Sequence, residues 1–519
     1  MKNYKKVYAA FILAGGLILH GCNGIFDDLA INPNQPSMGA YFTSPSAVND
    51  AVMTMYGYMS TQRCLGASGS KTTIIRSDEA SSNSDYGKPG MFGADLNASY
   101  YTIEQPYTLM YTTASQASYI IETAPSVDFS GNEELRNAYM GEAYFWRAFA
   151  HYYLLINFRN ISPIRQMPRN GDDYVRPLEK PAAVWDFIQE DLAHAKELLP
   201  VKGYWDSKNA GRVTKASAAA LLGKAYLYRS GIEQYYGEDK TTFYSEAAKE
   251  FGDVIDGKYG TYDLTKNYAD NFDVAHENNE ESILEFQFLG DVDNAGFNPG
   301  LATSGLAFDS RGLMLPGAGV GYEGVVHNWL YNAFVNSVDK DGYTDIRMFS
   351  TMIFNDLDAS IHLRNDAGGN PVRLEGPGGY KWEELYPAKN GKEGFATVSN
   401  PLAHSFKAGI RKGIDCSMPT QTEADGTPKL VGVGAGVKEY VYNQPRAHGV
   451  NWRYIRYADV LMMYAESVVS GGTPASNMTP LQAVNKVRGR ANMSELPSVT
   501  MADIQNERIL EFALEGHRF

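Results

Sequence analysis

The chain has 519 residues and a formal net charge of −14 at pH 7. This acidic balance disfavours contact with a phosphate backbone, so no nucleic-acid partner is expected. The nine histidines and three cysteines show no CxxC or HExxH spacing, so the sequence predicts no structural metal and no cofactor. The 35 tyrosines and six tryptophans suit binding surfaces as well as cores, because each ring has a flat apolar face and a polar edge.

The amino terminus is typical of an exported, lipid-anchored protein. Three lysines precede a short apolar run, Val7 to Leu19, which suits a secretory leader better than a membrane span of about 20 residues. Gly21 and Cys22 follow at once and resemble the lipobox of bacterial lipoproteins. We therefore predict a signal peptide over residues 1–21 and lipid attachment at Cys22, with an ordinary leader and a chance cysteine as the alternative.

After Cys22 the chain is predicted to begin as a flexible tether. Residues 22–45 are rich in Asn, Pro, Gly and Ser, and Pro33 and Pro36 oppose a regular helix. Removal of the leader takes away three lysines and no acids, so the mature net charge is −17. Of the other two cysteines, Cys64 and Cys416, unpaired thiols are favoured over a disulfide.

Amphipathic periodicity predicts helices in two blocks of the chain, with Ser44 or Ser46 capping the first helix. The predicted helices span residues 47–61, 104–124, 133–157, 181–199, 214–232, 243–255, 453–469, 480–491 and 502–515. Leu222-Gly223-Lys224-Ala225-Tyr226, with Ala247 and Phe251, matches the tetratricopeptide (TPR) pattern, and Met140 to Tyr144 repeats its first half. We therefore predict a mostly α chain on a TPR-like helix-pair scaffold.

Between the two helical blocks the sequence changes character. An alternating run over residues 282–288 predicts a short strand, and the stretch from about 267 to 451 is rich in glycine and scattered aromatics. It is too aromatic for disorder and too long for one loop, so an irregular, loop-rich lobe is expected. We expect one domain over residues 46–519, with TPR-like helices at about 104–257 and 452–516.

Two stretches outside the helices combine aromatic rings with charged or amide groups, as a sugar site requires. The first, residues 76–101, lies between the first two predicted helices, and the second, residues 308–329, lies in the loop-rich lobe. Their candidate ligand-binding residues are Arg76, Asp78, Tyr86, Tyr100 and Tyr101 in the first, and Tyr322 and Trp329, with His327, in the second.

The carboxylates of the last helices offer a competing, catalytic interpretation. Asp459 and Glu466, or Glu507 with Glu511 and Glu515, could form the paired acids of a glycoside hydrolase. Neighbouring arginines favour structural ion pairs instead, and the same interpretation applies to Arg147 with Glu142 and to Arg212. The Asp339–Asp345 stretch faintly resembles a calcium loop, but it lacks the EF-hand spacing and a polar turn is expected.

Five segments in a fixed order carry a resemblance to a family. They are residues 141–148 (Gly-Glu-Ala-Tyr-Phe-Trp-Arg-Ala), 211–216 (Gly-Arg-Val-Thr-Lys-Ala), 279–283 (Asn-Glu-Glu-Ser-Ile), 453–466 (from Arg-Tyr-Ile-Arg-Tyr-Ala-Asp) and 507–519 (ending Glu-Gly-His-Arg-Phe). Together they resemble the SusD-like (RagB-like) nutrient-binding outer-membrane lipoproteins of the Bacteroidota.

The chain departs from that family at two places. Ser118 stands where the family usually has asparagine, and the family continues beyond the Arg-Phe at which this chain stops. The second departure predicts a sequence truncated at its carboxyl terminus.

The resemblance implies a function and a location for the chain. A lipid-anchored protein on the outer-membrane surface would capture oligosaccharides and deliver them to a SusC-like TonB-dependent transporter. Capture of peptides or glycopeptides by the same lid mechanism is the alternative within the family, and catalytic residues are not expected.

Overall fold

The structure is a computed structural model that describes most of the chain after residue 41. It describes residues 42–61, 63–66, 73–82, 98–167, 173, 175–237, 239–288, 308–309, 324–354, 359–365, 369, 408–412, 430–432, 438–440, 447–448 and 450–518. The predicted leader, Cys22 and most of the tether lie outside the described residues, as does Cys416. No helix in the described ranges combines the length and apolar character needed to cross a membrane.

Helices dominate the described chain, as predicted. They are α1 (Pro45–Ser60), α2 (Tyr101–Thr123), α3 (Glu133–Phe158), α4 (Pro181–Leu198), α5 (Lys215–Tyr236), α6 (Tyr244–Ile255), α7 (Asn328–Val335), α8 (Met348–Thr351), α9 (Tyr457–Val469), α10 (Pro480–Arg490) and α11 (Met501–Phe512). From α1 to α6 each helix packs mainly on its neighbour in sequence, and α6 then packs on α9. The long gap in sequence between α6 and α9 is thus closed in space, which makes one continuous row of helices.

Local sequence signals explain where these helices begin and how closely they pack. The Ser44 side chain accepts a hydrogen bond from the Ala47 amide at 3.3 Å, which is the cap predicted for the first helix. A Cβ atom on Gly223 of α5 would come within 2.7 Å of the Phe251 ring in α6. The glycine therefore allows the two helices to approach closely, as the TPR pattern predicted. Gly141 has the same role in α3, but it faces Leu199 rather than an aromatic ring.

The described strands are short and lie in four small sheets. They are β1 (Ala80–Ser82), β2 (Ser282–Phe286), β3 (Phe308–Asp309), β4 (Gly324–Val326), β5 (Met352–Phe354), β6 (Ala408–Ile410), β7 (Leu430–Gly432), β8 (Lys438–Tyr440), β9 (Ala447–His448) and β10 (Trp452–Arg456). An antiparallel sheet of order β1-β4-β6-β5 joins the amino-terminal region to the lobe. The other pairs are β2 with β10, β3 with β9 and β7 with β8.

The start of the predicted helix 453–469 is wrong. Residues 452–456 form β10, which pairs antiparallel with β2, and the helix begins only at Tyr457. Alternation explains the difference, because Arg453 and Ile455 are buried while Trp452 and Tyr454 are half-buried. The predicted strand 282–288 is confirmed as β2, two residues shorter.

Ten ionisable side chains form one connected ion-pair network beneath α11. Arg456 contacts Glu281 and Glu511 at 2.6 Å and Glu515 at 2.9 Å. The remaining pairs of the network are Arg347 with Asp345, Glu507 and Glu511, Arg490 with Glu281 and Glu511, Arg488 with Glu507, and Lys412 with Glu515. Five cations thus meet five anions, and this balance lets so many charges lie in the interior.

A second set of buried ion pairs joins the amino-terminal helices, with one partner that differs from the prediction. Glu142 of α3 pairs with Arg212, which is 2.8 Å away through its Nε atom. Arg147 does not pair with Glu142, because it lies on another face of α3 and forms two 2.7 Å hydrogen bonds to Asp191 of α4. The same Arg147 donates to Ser118 at 3.2 Å, so the serine that replaces the family's asparagine is held inside the fold.

Candidate functional site

Two of the predicted ligand-binding residues meet because β1 pairs with β4. The register sets Ala80 opposite Val326, so Asp78 just before β1 faces the residues that follow β4. Trp329 donates from its indole N–H to the Asp78 carbonyl oxygen at 2.6 Å. The same oxygen lies 2.8 Å from Nδ1 of His327, whose Nε2 lies 2.5 Å from the Ser81 hydroxyl. The two stretches are separate in sequence but meet in one cluster of side chains in the structure.

Arg518 completes this site from the carboxyl-terminal segment. Its Nε and Nη2 atoms donate to the two Asp78 carboxylate oxygens at 2.7 and 2.8 Å. Its guanidinium carbon lies 5.1 Å from the centre of the Trp329 ring, which is within cation–π range. We call Asp78, Ser81, His327, Trp329 and Arg518 the Trp329 cluster.

The charged pair of the Trp329 cluster is accessible to solvent, whereas Ser81, His327 and Trp329 are half-buried. The Asp78 side chain is 56% exposed and that of Arg518 is 38% exposed. The hydrogen bond from Arg518 lowers the pKa of Asp78, and the same bond raises the pKa of Arg518. The carboxylate and the guanidinium therefore stay ionised together at neutral pH, and the pair has no net charge.

A sharp turn after α11 delivers Arg518 to the cluster. Gly516 has φ +83, and a Cβ atom there would come within 2.8 Å of the Thr73 hydroxyl, so only glycine fits. Beyond it, His517 turns inward onto the Phe512 ring at 5.1 Å, while Arg518 turns outward to Asp78. Burial lowers the pKa of His517 to about 3, so its ring stays neutral in the core.

This arrangement suits a polar ligand with an apolar face. An ionised carboxylate accepts hydrogen bonds from hydroxyl groups, and a guanidinium donates to them in a fixed plane. The indole ring beside them offers apolar area with a defined orientation. Sugars present hydroxyl edges and C–H faces, which are the groups that such an arrangement can contact.

The other predicted site residues have different positions. Arg76 donates to the Asn157 side chain at the end of α3 at 3.3 Å, and burial lowers the pKa of Arg76. Tyr100 is the cap residue of α2, and its carbonyl oxygen accepts the Ile103 amide at 2.8 Å. Tyr101 begins α2, and its side chain is not described. Tyr86 and Tyr322 lie outside the described residues, so their assignment stays a prediction.

Two cavities in the described part of the chain are poorer candidates. One measures about 40 Å³ and is lined by aromatic rings, Lys224 and His517. It has room for a few water molecules but not for a sugar ring, since ligand pockets usually measure about 300–1,000 Å³. The other, about 480 Å³, is an open cleft lined by Gln234, Thr242, Tyr244, Ser245, Ser470 and Gly471. It provides hydroxyl and amide groups but no charged pair on an indole.

Glu466, the fifth carboxylate of the catalytic alternative, is half-buried, whereas the other four lie where a substrate cannot reach them. The side chains of Asp459 and Glu511 are fully buried, and those of Glu507 and Glu515 are at most 4% exposed. Asp459 contacts Lys224 at 3.5 Å and Arg508 at 3.0 Å. These acids therefore neutralise buried cations, as predicted, and are not placed to protonate a glycosidic bond.

The faint calcium loop is a polar turn in the structure. The Asp339 carboxylate accepts the backbone amides of Asp341 and Tyr343 at 2.8 and 3.0 Å, and it pairs with Arg364. Those contacts occupy the oxygens that a cation would need. Among the described residues, no cluster of three or more His, Cys, Asp or Glu side chains could hold a metal ion.

Arg518 is not among the site residues predicted from the sequence. It lies 440 residues from Asp78 in sequence, and the local pattern at the chain end indicated only a family segment. No local signal marks it, because the pair forms only when the segment after α11 packs beside β1.

Comparisons with known proteins agree on one family. A family model described as "SusD family" matches residues 421–519, and one described as "Starch-binding associating with outer membrane" matches residues 31–227. A SusD-like protein of Bacteroides ovatus is 24% identical over 99% of this chain and 82% of its own length. SusD-like protein P2 of Formosa agariphila is 26% identical over 100% of this chain and 90% of its own length.

Solved structures show the same fold. A SusD superfamily protein of Bacteroides vulgatus superposes with a TM-score of 0.65 at 21% identity, over 92% of this chain and 87% of that one. A laminarin-binding SusD-like protein has a TM-score of 0.64 at 20% identity, over 92% and 90% of the two chains. A structure with a xylogluco-oligosaccharide has a TM-score of 0.59 at 21% identity, over 90% and 80%.

Proposed function

Because this chain belongs to the SusD-like family, we propose that it is a non-catalytic glycan-binding protein of the outer-membrane surface. The Trp329 cluster holds the glycan. The observation that supports this proposal most directly is the solvent-facing Asp78–Arg518 pair beside the Trp329 ring. The pair supplies hydrogen-bond acceptors and donors, and the ring supplies an apolar face next to them. Two structures of the same fold, that of a laminarin-binding SusD-like protein and one with a xylogluco-oligosaccharide, support this choice of ligand class.

Delivery to a transporter is the next step of the proposal. A lipid on Cys22 would hold the protein at the outer membrane, and several acyl chains bind far more strongly than one. The bound oligosaccharide would then pass to a SusC-like TonB-dependent transporter. Support comes from the family description that names association with the outer membrane.

Binding to polysaccharides tests the glycan-binding role directly. Affinity electrophoresis of the purified protein would use gels that contain laminarin, xyloglucan or starch, followed by calorimetry on oligosaccharides of any polysaccharide that retards it. Trp329→Ala should weaken binding at least about tenfold, since loss of a ring contact worth about 1.4 kcal/mol has that effect. Tyr235→Ala is the matched control, because Tyr235 is 85% exposed on α5, outside the cluster.

Three results would contradict the proposal in different ways. Equal losses in the Trp329 and Tyr235 variants would move the site elsewhere. No glycan binding together with clear binding of casein peptides would replace glycans by peptides as the ligand. Cleaved product after incubation with a bound glycan would make the protein an enzyme.

The transporter step has its own test. Purification of the protein from outer membranes in mild detergent should also recover a TonB-dependent transporter. A Cys22→Ala variant should lose membrane attachment and recover less transporter. Full attachment of that variant would contradict the lipid anchor.

A further inference from the structure

Glu79 is a buried carboxyl group whose surroundings differ from those of the other buried acids. Glu79 follows Asp78 in sequence and is only 1% exposed to solvent. Within the described ranges no lysine or arginine nitrogen lies within salt-bridge distance of it, whereas Glu511 contacts three arginines. Its side-chain partners are the Leu514 amide and the Ser77 hydroxyl, both at 3.3 Å from Oε2. The fold thus buries this carboxyl with hydrogen bonds but without a close counter-charge.

The position of Glu79 links the two halves of the Trp329 cluster. On one side the backbone carbonyl oxygen of Glu79 accepts a hydrogen bond from the His327 amide at 2.8 Å. This bond extends the pairing of β1 with β4 and so fixes Asp78 relative to Trp329. On the other side the carboxyl of Glu79 accepts the Leu514 amide from the segment that carries Arg518.

That second contact holds a strained part of the chain. Leu514 has φ +63, a left-handed conformation that costs a residue with a branched side chain about 1–3 kcal/mol and persists only where neighbours hold it. Gly516 is also left-handed, with φ +83, so the chain turns twice before Arg518. Because Leu514 opens this double turn, the hydrogen bond from its amide to Glu79 helps to set where the guanidinium lies.

We propose that Glu79 is a positioning residue that makes the geometry of the Trp329 cluster depend on pH. This inference rests on the proposed glycan-binding role of the cluster and concerns the regulation of the same site. An ionised Glu79 holds the Leu514 turn and keeps Arg518 on Asp78 and Trp329. A protonated Glu79 is a weaker acceptor and releases that turn.

The groups that face Glu79 place this change near neutral pH. Burial raises the pKa of Glu79 to about 7, against the opposing effects of the Leu514 amide, Lys412, the Ser77 hydroxyl and Arg518. Lys412 follows β6, and Arg518 lies in the carboxyl-terminal segment after α11. Both act on Glu79 from beyond ion-pair distance. Loss of the Leu514 amide would raise the pKa of the buried carboxyl further, so ionisation favours the arrangement in which that hydrogen bond is made. Glycan affinity should therefore be higher above about pH 7 than at acidic pH.

Fluorescence of the ligand-free protein tests the coupling without any knowledge of the ligand. The emission of the wild-type protein minus that of Trp329→Phe reports Trp329 alone, and both are titrated from about pH 5.5 to about pH 8.5. We expect one transition with a midpoint near pH 7, because the guanidinium moves relative to the indole. Glu79→Gln keeps the shape and the acceptor oxygen of a protonated glutamate, so it should remove the transition and show the acidic spectrum throughout.

His327 is the other titratable ring at the cluster, and its variant is the control. His327→Gln should keep the transition if Glu79 causes it. A flat wild-type titration, or a transition that survives in Glu79→Gln, would overturn the inference. Loss of the transition in His327→Gln would also overturn the inference.

Calorimetry with a laminarin oligosaccharide and a xyloglucan oligosaccharide separates this inference from the proposed function. Wild-type affinity for whichever binds should fall about three- to tenfold from pH 8 to pH 6, while Glu79→Gln should be flat at the lower affinity. Binding with no pH dependence would overturn the role of Glu79 and leave glycan capture standing. A fluorescence transition without binding to any glycan would leave the role of Glu79 standing and overturn glycan capture.

Discussion

Replacing Glu511 by glutamine should lower the free energy of unfolding by about 3–5 kcal/mol, which is the usual cost of leaving a buried charge without its partner. Glu511 is fully buried and contacts Arg347 at 3.0 Å, Arg456 at 2.6 Å and Arg490. Burial alone would raise its pKa, but Arg490, Arg456 and Arg347 more than offset this and hold the pKa well below its usual value. Glutamine keeps the shape and removes only the charge.

The magnitude follows from the balance of the ten-residue network. Five cations and five anions meet there, so Glu511→Gln leaves one positive charge without compensation in the interior. A second change, Arg490→Met, removes one cation and restores the balance. The double variant should therefore recover part of the loss, with a coupling energy of about 1–3 kcal/mol.

Urea unfolding at pH 7, followed by far-ultraviolet circular dichroism, measures these differences. The matched control is Glu133→Gln, because the Glu133–Arg136 pair is exposed (62% and 30% of the side chains) and should contribute less than about 1 kcal/mol. A loss in Glu511→Gln as small as in Glu133→Gln would refute the reasoning. A double variant that is no better than the sum of the single losses would also refute it.

Three further predictions follow from individual contacts. The native pKa of Glu79, about 7, exceeds its usual 4.5, so its native state holds a proton that the unfolded chain releases, and stability falls as pH rises between those values. Glu79→Gln should therefore be more stable than wild type by up to about 3 kcal/mol at pH 8.5 but not at pH 4, measured by urea unfolding. Gly223→Ala should lose about 1–3 kcal/mol to its contact with Phe251, while Gly57→Ala, with open space around it in α1, should lose nothing. Asp78→Asn should weaken glycan binding about tenfold or more in calorimetry, because it breaks the charged pair with Arg518.

The helical scaffold was predictable because its signals are local. The period of the apolar residues and the capping residues placed α3, α4 and α6 within one residue of their ends. The Gly223–Phe251 contact was also predictable, since a glycine and an aromatic ring at TPR spacing indicate a close helix pair. The start of α9 was not, because the arginines and aromatics of β10 become a strand only by pairing with β2, more than 160 residues earlier.

The ion pairs, like the helices, were predictable from the sequence only in part. The sequence indicated that buried acids would meet arginines, but proximity in sequence named the wrong partner for Arg147. Asp191 lies on the neighbouring helix, and the packing of α3 on α4 selects it. The partner of a buried charge depends on which helix faces pack together, and the sequence of one helix does not indicate this.

For the site, the sequence by itself determined the chemistry that was on offer, namely a tryptophan and an aspartate in two separate stretches outside the predicted helices. Only the tertiary structure decided that these groups lie together. The antiparallel register of β1 and β4 brings Asp78 to Trp329, and the left-handed turns at Leu514 and Gly516 carry Arg518 to both. The physical reason is that side-chain periodicity reports the face of each element, whereas a binding site depends on contacts across hundreds of residues that only the packed chain forms.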